Sequence, residues 1–344
     1  MNRIDANDAA AQVGHAEAAS GQMRAALDLL YGSSAEQLAG THRVLTLCRD
    51  AEAAEEVVRN HQLVSALARL FGESEHVPVE LSFALGKLFL VLSLNEGIHP
   101  MLSSHRVGAL TMGVVKLELK RARHCGAARG VASATARECV FSPKQERLIF
   151  VCLSILDNFA DDMAVLRKMM KLSLVALLSR CAQQKSTDSV LVTLSLLRRA
   201  SVFEETAVEF SSDGGVAISY LGRLLKRRTD CLDLCREVIV TLFNLSFHQK
   251  CTHMISASGI HPTLLVLLRK PPLHDEILQL MYHLSDQEED RQRFFEAGIT
   301  SELMDLLQYV SSGPNLNWSC LAGLLMNVSQ CVLNRFPSFF LCVA

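Results

Sequence analysis

The segment Val238-Ile-Val-Thr-Leu-Phe-Asn-Leu-Ser-Phe247 has a second copy 39 residues further along this chain of 344 residues. The copy is Ile277-Leu-Gln-Leu-Met-Tyr-His-Leu-Ser-Asp286, and both stretches are largely apolar until they end in a polar residue, Leu and Ser. The position of that polar residue defines a column along the chain, which consists of Asn158, Arg199, Asn244, His283 and Asn327. The successive spacings of 41, 45, 39 and 44 residues indicate a repeated helical unit.

A second set of positions gives the phase of the repeat. Gly259 and Gly298 are also 39 residues apart, and a Leu-rich stretch follows each of them. Glycine suits a left-handed turn at a helix end, and Pro262 suits the first turn of the next helix. Each unit therefore contains a short helix, a sharp turn, a second helix and a long third helix. The sequence predicts an all-α, right-handed armadillo-repeat superhelix, an α-solenoid of about six or seven repeats with one flexible insertion.

The repeat pattern divides the chain into five predicted segments. They are a helical and partly disordered N-terminal segment (1–40), N-terminal armadillo-like repeats (41–120), a flexible insertion (121–143), further armadillo repeats (144–329) and an aberrant apolar tail (330–344). The insertion is predicted because its residues are small and polar and show no period. It ends at Ser142-Pro143-Lys144-Gln145, where a capping residue, a proline and a glutamine indicate the start of a helix.

Composition limits the classes of function that the chain can serve. Apolar residues make up 49% of the chain and aromatic residues only 6%, which favours helices packed around Leu, Ala and Val. The formal net charge of −2 gives no general attraction for nucleic acid. No apolar run approaches the roughly 18 residues of a membrane span, and the N-terminus does not resemble a signal peptide. We expect a cytoplasmic protein that neither binds nucleic acid nor inserts into a membrane.

Side chains capable of chemistry are present, but they form no recognisable site. The 11 cysteines are scattered singly through apolar stretches, so we expect buried thiols. His248, His253 and His261 have no carboxylate or thiol at ligand spacing, and structural histidines are the favoured interpretation. No Gly-x-Ser-x-Gly, phosphate-loop or His-Glu-x-x-His motif occurs. We predict no catalytic residue, no metal site and no cofactor.

The column has two interpretations. On the long third helices, its side chains could bind the backbone of an extended peptide in a concave groove. Alternatively, they bond neighbouring repeats and satisfy helix ends, which is the favoured interpretation. Nuclear import adaptors carry a Trp four residues before each such Asn, whereas this chain has Ser154, Ser195, Val240, Gln279 and Gly323 there.

Two basic clusters are candidates for contact with an acidic partner. They are Lys116, Lys120, Arg121 and Arg123, and Lys226, Arg227 and Arg228. Short charge runs more often form solvated helix ends than binding sites. The acidic run from Glu288 to Asp290 is likewise expected to be a solvated turn between repeats.

Several short strings between about Glu55 and Ser329 resemble, in order and spacing, the kinesin-associated protein family. This family comprises the armadillo-repeat accessory subunits of heterotrimeric kinesin-2. The strings are His105-Arg-Val-Gly-Ala-Leu, Leu117-Glu-Leu-Lys-Arg, Gln145-Glu-Arg-Leu, Leu196-Leu-Arg-Arg-Ala-Ser-Val-Phe, Leu242-Phe-Asn-Leu-Ser-Phe and Met281-Tyr-His-Leu-Ser.

The resemblance implies a non-motor subunit that binds the tails of a kinesin-2 motor heterodimer. Such a subunit would link the motor to cargo adaptor proteins, notably for intraflagellar transport in cilia and flagella. The alternative is a generic armadillo scaffold in adhesion, signalling or protein turnover. The chain departs from the family after Ser329, where further repeats are expected, and a truncated or misread gene end is the favoured explanation. The five apolar tail residues Phe336, Phe339, Phe340, Leu341 and Val343 are expected to form an exposed, uncapped end.

Overall fold

The structure is a computed structural model that describes residues 20–128, 141–184, 186–212, 214–310 and 317–335. All of the regular secondary structure in these ranges is helical. The proposed apolar side chains of the tail lie outside the described residues, and so do residues 129–140 of the predicted insertion.

The described helices follow one another with short connections. In chain order they are α1 (20–30), α2 (Ser34–Leu47), α3 (Ala51–Arg59), α4 (His61–Gly72), α5 (Val79–Ser93), α6 (His99–Ser104), α7 (Val107–Ala128), α8 (Pro143–Phe159), α9 (Met163–Met170), α10 (Leu174–Cys181), α11 (Thr187–Ala200), α12 (Glu204–Ser212), α13 (Val216–Arg227), α14 (Leu232–Ser246), α15 (Gln249–Ala257), α16 (His261–Leu268), α17 (His274–Leu284), α18 (Glu288–Glu296), α19 (Ile299–Val310) and α20 (Trp318–Arg335). Short 3₁₀ turns cover Glu96–Ile98 and Pro271–Leu273.

These helices form successive triplets, which is the predicted layout. After α1 and α2, the triplets are α3–α5, α6–α8, α9–α11, α12–α14, α15–α17 and α18–α20, and the last helix of each is a long third helix. The chain divides into two compact units, Met1–Leu196 and Leu197–Ala344. In the first unit α5 packs between α2 and α8, and in the second α17 packs between α14 and α20. Neighbouring third helices therefore lie side by side within each unit.

In five of the six triplets the turn between the first and second helix contains a left-handed residue, and the exception is α3–α5, where Asn60 has a φ of −80°. Gly259 and Gly298 have φ angles of 66° and 90°, as their spacing predicted, and Gly215 has a φ of 79°. Arg106 and Ser173 hold the same place with φ angles of 59° and 62°. A left-handed backbone is unfavourable for residues with a Cβ atom, so packing around these two turns maintains the strained geometry.

The predicted helix start at Ser142 is confirmed. Its hydroxyl accepts a hydrogen bond from the Gln145 backbone N–H, and the Gln145 side chain accepts one from the Ser142 backbone N–H. The start of the predicted insertion differs from the expectation, because α7 continues to Ala128. Residues 121–128 therefore extend the second helix of a triplet, and Ala122 packs in the core.

The expectation of a solvated acidic run is wrong for Asp290, which is only 1% exposed. Its carboxylate lies 2.7 Å from His261 Nε2, accepts a hydrogen bond from the Ser256 hydroxyl at 2.5 Å and lies 3.5 Å from an Arg293 nitrogen. We call these four residues the Asp290 network. It joins α15 and α16 to α18 of the next triplet, so His261 has a structural role, as predicted.

Several thiols are buried, as the sequence predicts. Cys48, Cys152, Cys181, Cys235 and Cys251 are buried, whereas Cys231 and Cys320 are partly exposed. Burial raises the pKa of Cys48 to about 12 and the pKa of Cys235 to about 11. These thiols are consequently protonated at neutral pH and are poor nucleophiles.

Candidate protein-binding surface

Four of the five column residues lie near the C-terminal end of a third helix, and Asn327 lies in the middle of α20. Asn158 is on α8, Arg199 on α11, Asn244 on α14, His283 on α17 and Asn327 on α20. Each is half-buried, which is a position between solvent and the neighbouring helix. The repeated sequence positions thus become repeated positions in space.

Column asparagines reach the end of the preceding long helix. Asn158 Nδ2 donates to the hydroxyl of Ser93, the last residue of α5, at 2.9 Å. Asn244 Nδ2 donates in the same way to Ser201, just after α11, also at 2.9 Å. Each bond therefore links one triplet to the next.

The same contact recurs further along the second unit. Asn327 Nδ2 donates to the Ser285 hydroxyl at 2.9 Å, and His283 Nε2 donates to the Ser246 carbonyl at 3.1 Å. Each acceptor serine also donates its own proton to the carbonyl three residues earlier. We call this series of bonds from a column residue to the preceding serine the inter-repeat ladder. It uses the Nδ2 group of the column asparagines and Nε2 of His283 for contacts between repeats, and so it favours the structural interpretation of the column.

The residues beside the ladder are large and apolar, and three of the four are exposed while Phe243 is half-buried. Phe243, Tyr282 and Met326 each precede a column residue on α14, α17 and α20, and Phe247 follows the end of α14. Phe247 is 67% exposed, Met326 69% and Tyr282 39%. We call these four residues the aromatic surface.

Ring contacts hold the aromatic surface in place. The Phe247 ring lies 4.4 Å from the His283 ring and 5.1 Å from the Phe243 ring, measured between centroids. Tyr282 packs against Gly323, where a Cβ atom would collide with the tyrosine ring. Gly323 occupies the place where import adaptors carry a Trp, so its missing side chain gives Tyr282 room to pack on α20. Such rigid aromatic groups are the residues that most often contribute to protein interfaces.

A cleft borders the aromatic surface where α14 and α17 end. It has a volume of about 270 Å³, and Phe247 and His283 line one side. Polar groups of Gln249, His253 and Asp286 line the rest. The cleft offers hydrogen bonds next to an exposed ring, which is a combination that a peptide side chain can use.

The first predicted basic cluster separates into two kinds of residue. Lys116, Lys120 and Arg123 are exposed on α7. Arg121 instead donates to Glu118 at 2.6 Å, and the Glu118 side chain is only 1% exposed. Arg121 therefore stabilises a buried carboxylate and is not part of the exposed cluster.

The second predicted basic cluster lies at the end of α13. Lys226 and Arg227 are exposed, and Arg228 is half-buried with its Nε 3.9 Å from the Asp230 carboxylate. Lysine and arginine at this end of a helix also interact favourably with its dipole.

The described residues contain neither a metal-ligand cluster nor a single membrane-spanning helix. Within them, no group of three or more His, Cys, Asp or Glu side chains could hold a metal ion. No single described helix has both the length and the apolar content of a membrane span. Two bent pairs reach that length and composition when joined, Val79–Ser93 with Glu96–Ser104 and Gln249–Ala257 with His261–Leu268, with bends of 107° and 81°.

Comparison with known proteins identifies the family and the fold. A family model described as kinesin-associated protein matches residues 4–331. A designed armadillo repeat protein in complex with the peptide (KR)4 is 11% identical with a TM-score of 0.56, over 75% of this chain and 98% of that chain. A structure described by a phosphorylation switch that controls the interaction between cadherin and beta-catenin is 13% identical with a TM-score of 0.67, over 90% of this chain and 53% of that one. At these identities the structural likeness shows the fold alone, which confirms the predicted armadillo-type α-solenoid.

Proposed function

The chain belongs to the kinesin-associated protein family, and from this membership we propose that it is a non-catalytic adaptor that binds the tails of a kinesin-2 motor heterodimer. The observation that carries the proposal is the family match, which extends over almost the whole chain. In this role the protein connects the motor to cargo adaptor proteins for microtubule-based movement. Its proposed places of action are the cytoplasmic cytoskeleton and the cilium or flagellum with its base.

An armadillo solenoid supports a binding role because stacked repeats present a continuous row of equivalent helices to a partner. The aromatic surface is our candidate for the contact with a motor tail. Phe243, Phe247 and Tyr282 already have restricted rings, so little side-chain freedom would be lost on binding. The column residue His283 packs against Phe247 and so helps to hold the aromatic surface in position.

Co-purification tests the adaptor role. The full chain would be co-expressed with tagged coiled-coil and tail segments of both kinesin-2 motor chains, and the motor segments would be captured. We expect the chain to be retained in stoichiometric amount. The matched control is the coiled-coil and tail segment of a homodimeric kinesin of another class, which should retain none.

Failure of the folded chain to bind the kinesin-2 segments would contradict the proposal. The generic armadillo scaffold would then be the better account, since the fold itself is common to proteins with different partners. Circular dichroism of the recovered chain separates this outcome from misfolding, because a folded chain gives a strongly helical spectrum.

A further inference from the structure

A row of basic side chains runs along one face of α7. Lys116, Lys120 and Arg123 are spaced at i, i+4 and i+7, which places them on the same side of a helix. All three are exposed. The row covers about 10 Å along the helix axis, at 1.5 Å per residue.

Two further lysines come from α9 and the residue that follows it. Lys116 Nζ donates to the carbonyl of Leu172 at 3.2 Å, which brings the row on α7 beside Lys171. Lys168 precedes Lys171 by three residues on the same helix face, and both are exposed. We call Lys116, Lys120, Arg123, Lys168 and Lys171 the basic surface. It is assembled from two helices of successive triplets and is not apparent as a single run in the sequence.

The segments that carry the basic surface contain almost no acid. Glu118 is the one acidic residue between positions 97 and 128, and no acidic residue occurs between 163 and 184. Glu118 is buried and accepts hydrogen bonds from Arg121 and from the Gln145 side chain at 2.8 Å. Its charge is thus directed into the protein, and the surface is positive in a chain whose formal net charge is −2.

The amino-acid composition of these segments favours one kind of anionic partner over the others. They contain no Phe, Tyr or Trp, so bases would find no ring to stack on and a bilayer would find no aromatic anchor. Five cations over two helices are also few compared with the phosphate contacts of duplex-binding proteins. Carboxylates of an extended chain, by contrast, repeat on one side about every 7 Å and match a short row of ammonium groups. We propose that the basic surface binds an acidic, Asp- and Glu-rich segment of a partner protein.

This interaction is separate from the binding of motor tails at the aromatic surface. The two surfaces belong to different units of the chain, and an acidic ligand can be tested without any motor protein. Failure of one proposal therefore leaves the other intact.

Fluorescence anisotropy tests the interaction with the full chain and a labelled oligoglutamate peptide of about ten residues, about 33 Å when extended. We expect binding that weakens steeply between about 50 and 200 mM salt. The variant Lys116→Glu/Lys120→Glu/Arg123→Glu should raise the Kd about tenfold or more, since each reversal replaces an attraction for the peptide carboxylates by a repulsion. The control Lys226→Glu/Arg227→Glu changes exposed charges elsewhere and should leave the Kd within about twofold.

Three results would overturn the proposal. The first is an unchanged Kd in the triple variant, and the second is an equal loss in the Lys226→Glu/Arg227→Glu control. The third is tighter binding of an oligothymidylate of equal charge, or of vesicles containing phosphatidylserine, through the same three residues. If the charge reversals prevent folding, the neutral variant Lys116→Gln/Lys120→Gln/Arg123→Gln is measured instead, with a smaller expected loss of about threefold.

Discussion

Replacing Asn244 by alanine removes one bond of the inter-repeat ladder and leaves the rest of α14 in place. The lost hydrogen bond joins Asn244 Nδ2 to the Ser201 hydroxyl at 2.9 Å, with a longer contact of 3.4 Å to the Arg198 carbonyl. Ser201 is buried but keeps its own bond to the Arg198 carbonyl at 2.7 Å, so no donor is left unpaired. A net contribution of about 1 kcal/mol, the usual value for such a bond, is therefore expected.

A double-mutant cycle isolates this contribution. Urea unfolding would be measured for Asn244→Ala, Ser201→Ala and the double variant, and the coupling between the two sites should be about 1 kcal/mol. Ser329→Ala is a matched control, because Ser329 holds the equivalent place on α20 and donates a local hydrogen bond to the Met326 carbonyl at 2.7 Å. Its loss should cost less than the loss of Ser201.

The reasoning would be refuted by a coupling near zero together with weaker binding of motor tails by Asn244→Ala. That pair of results would mean that the asparagine serves a ligand and that its bond to Ser201 contributes nothing to folding. Loss of stability with unchanged binding is the result that the inter-repeat ladder predicts.

Further predictions concern a turn, the Asp290 network and a histidine. Ser173→Gly should raise the free energy of unfolding by about 0.5–1 kcal/mol, because glycine adopts the left-handed φ of 62° without strain. In the same urea titration, Ser179→Gly inside α10 should lower the free energy of unfolding by about 0.5 kcal/mol. Asp290→Ala should lower the free energy of unfolding by about 3 kcal/mol, because the buried Ser256 and His261 lose their acceptor. Its control Glu289→Ala changes an exposed residue and should alter this free energy by less than about 0.5 kcal/mol. Equal effects of the two variants would be inconsistent with the Asp290 network. Burial, and secondarily the neighbouring His61 imidazole, lowers the pKa of His105 below its ordinary value of 6.5. As the pH drops below 6.5, the unfolded chain therefore binds a proton on this histidine before the folded chain does, and stability falls. His105→Gln should therefore show a shallower loss of stability between about pH 7 and pH 5, and an unchanged slope would disprove this linkage.

Helices were predictable where apolar periodicity is strong. The apolar stretches Val238–Phe247 and Ile277–Asp286 predicted third helices, and α14 covers Leu232–Ser246 while α17 covers His274–Leu284. Turns with glycine were predictable because few other residues adopt a left-handed backbone without strain. The turns at Arg106 and Ser173 were not, because their conformation depends on packing around them and no local residue type signals it.

The candidate site was predictable only in part. A serine lies two residues after four of the five column residues, and three of these serines are acceptors in the inter-repeat ladder, namely Ser201, Ser246 and Ser285. The signal was therefore present in the alignment of the repeats. The aromatic surface was not predicted, although Phe243, Tyr282 and Met326 each directly precede a column residue, because apolar residues in these helices are mostly buried and the packing decides which ones are exposed. Burial of Asp290 could not be read from its acidic neighbours, since its partner His261 lies 29 residues away.

Titration of the labelled kinesin-2 tail heterodimer with variants of the aromatic surface tests the account most directly. Phe247→Ala/Tyr282→Ala removes two large exposed groups, and Met304→Ala removes an exposed apolar side chain from α19 as a matched control. The account predicts that the double variant stays folded but binds at least about tenfold more weakly, while the affinity of the control stays unchanged. Equal affinity of the double variant and the parent chain would contradict it.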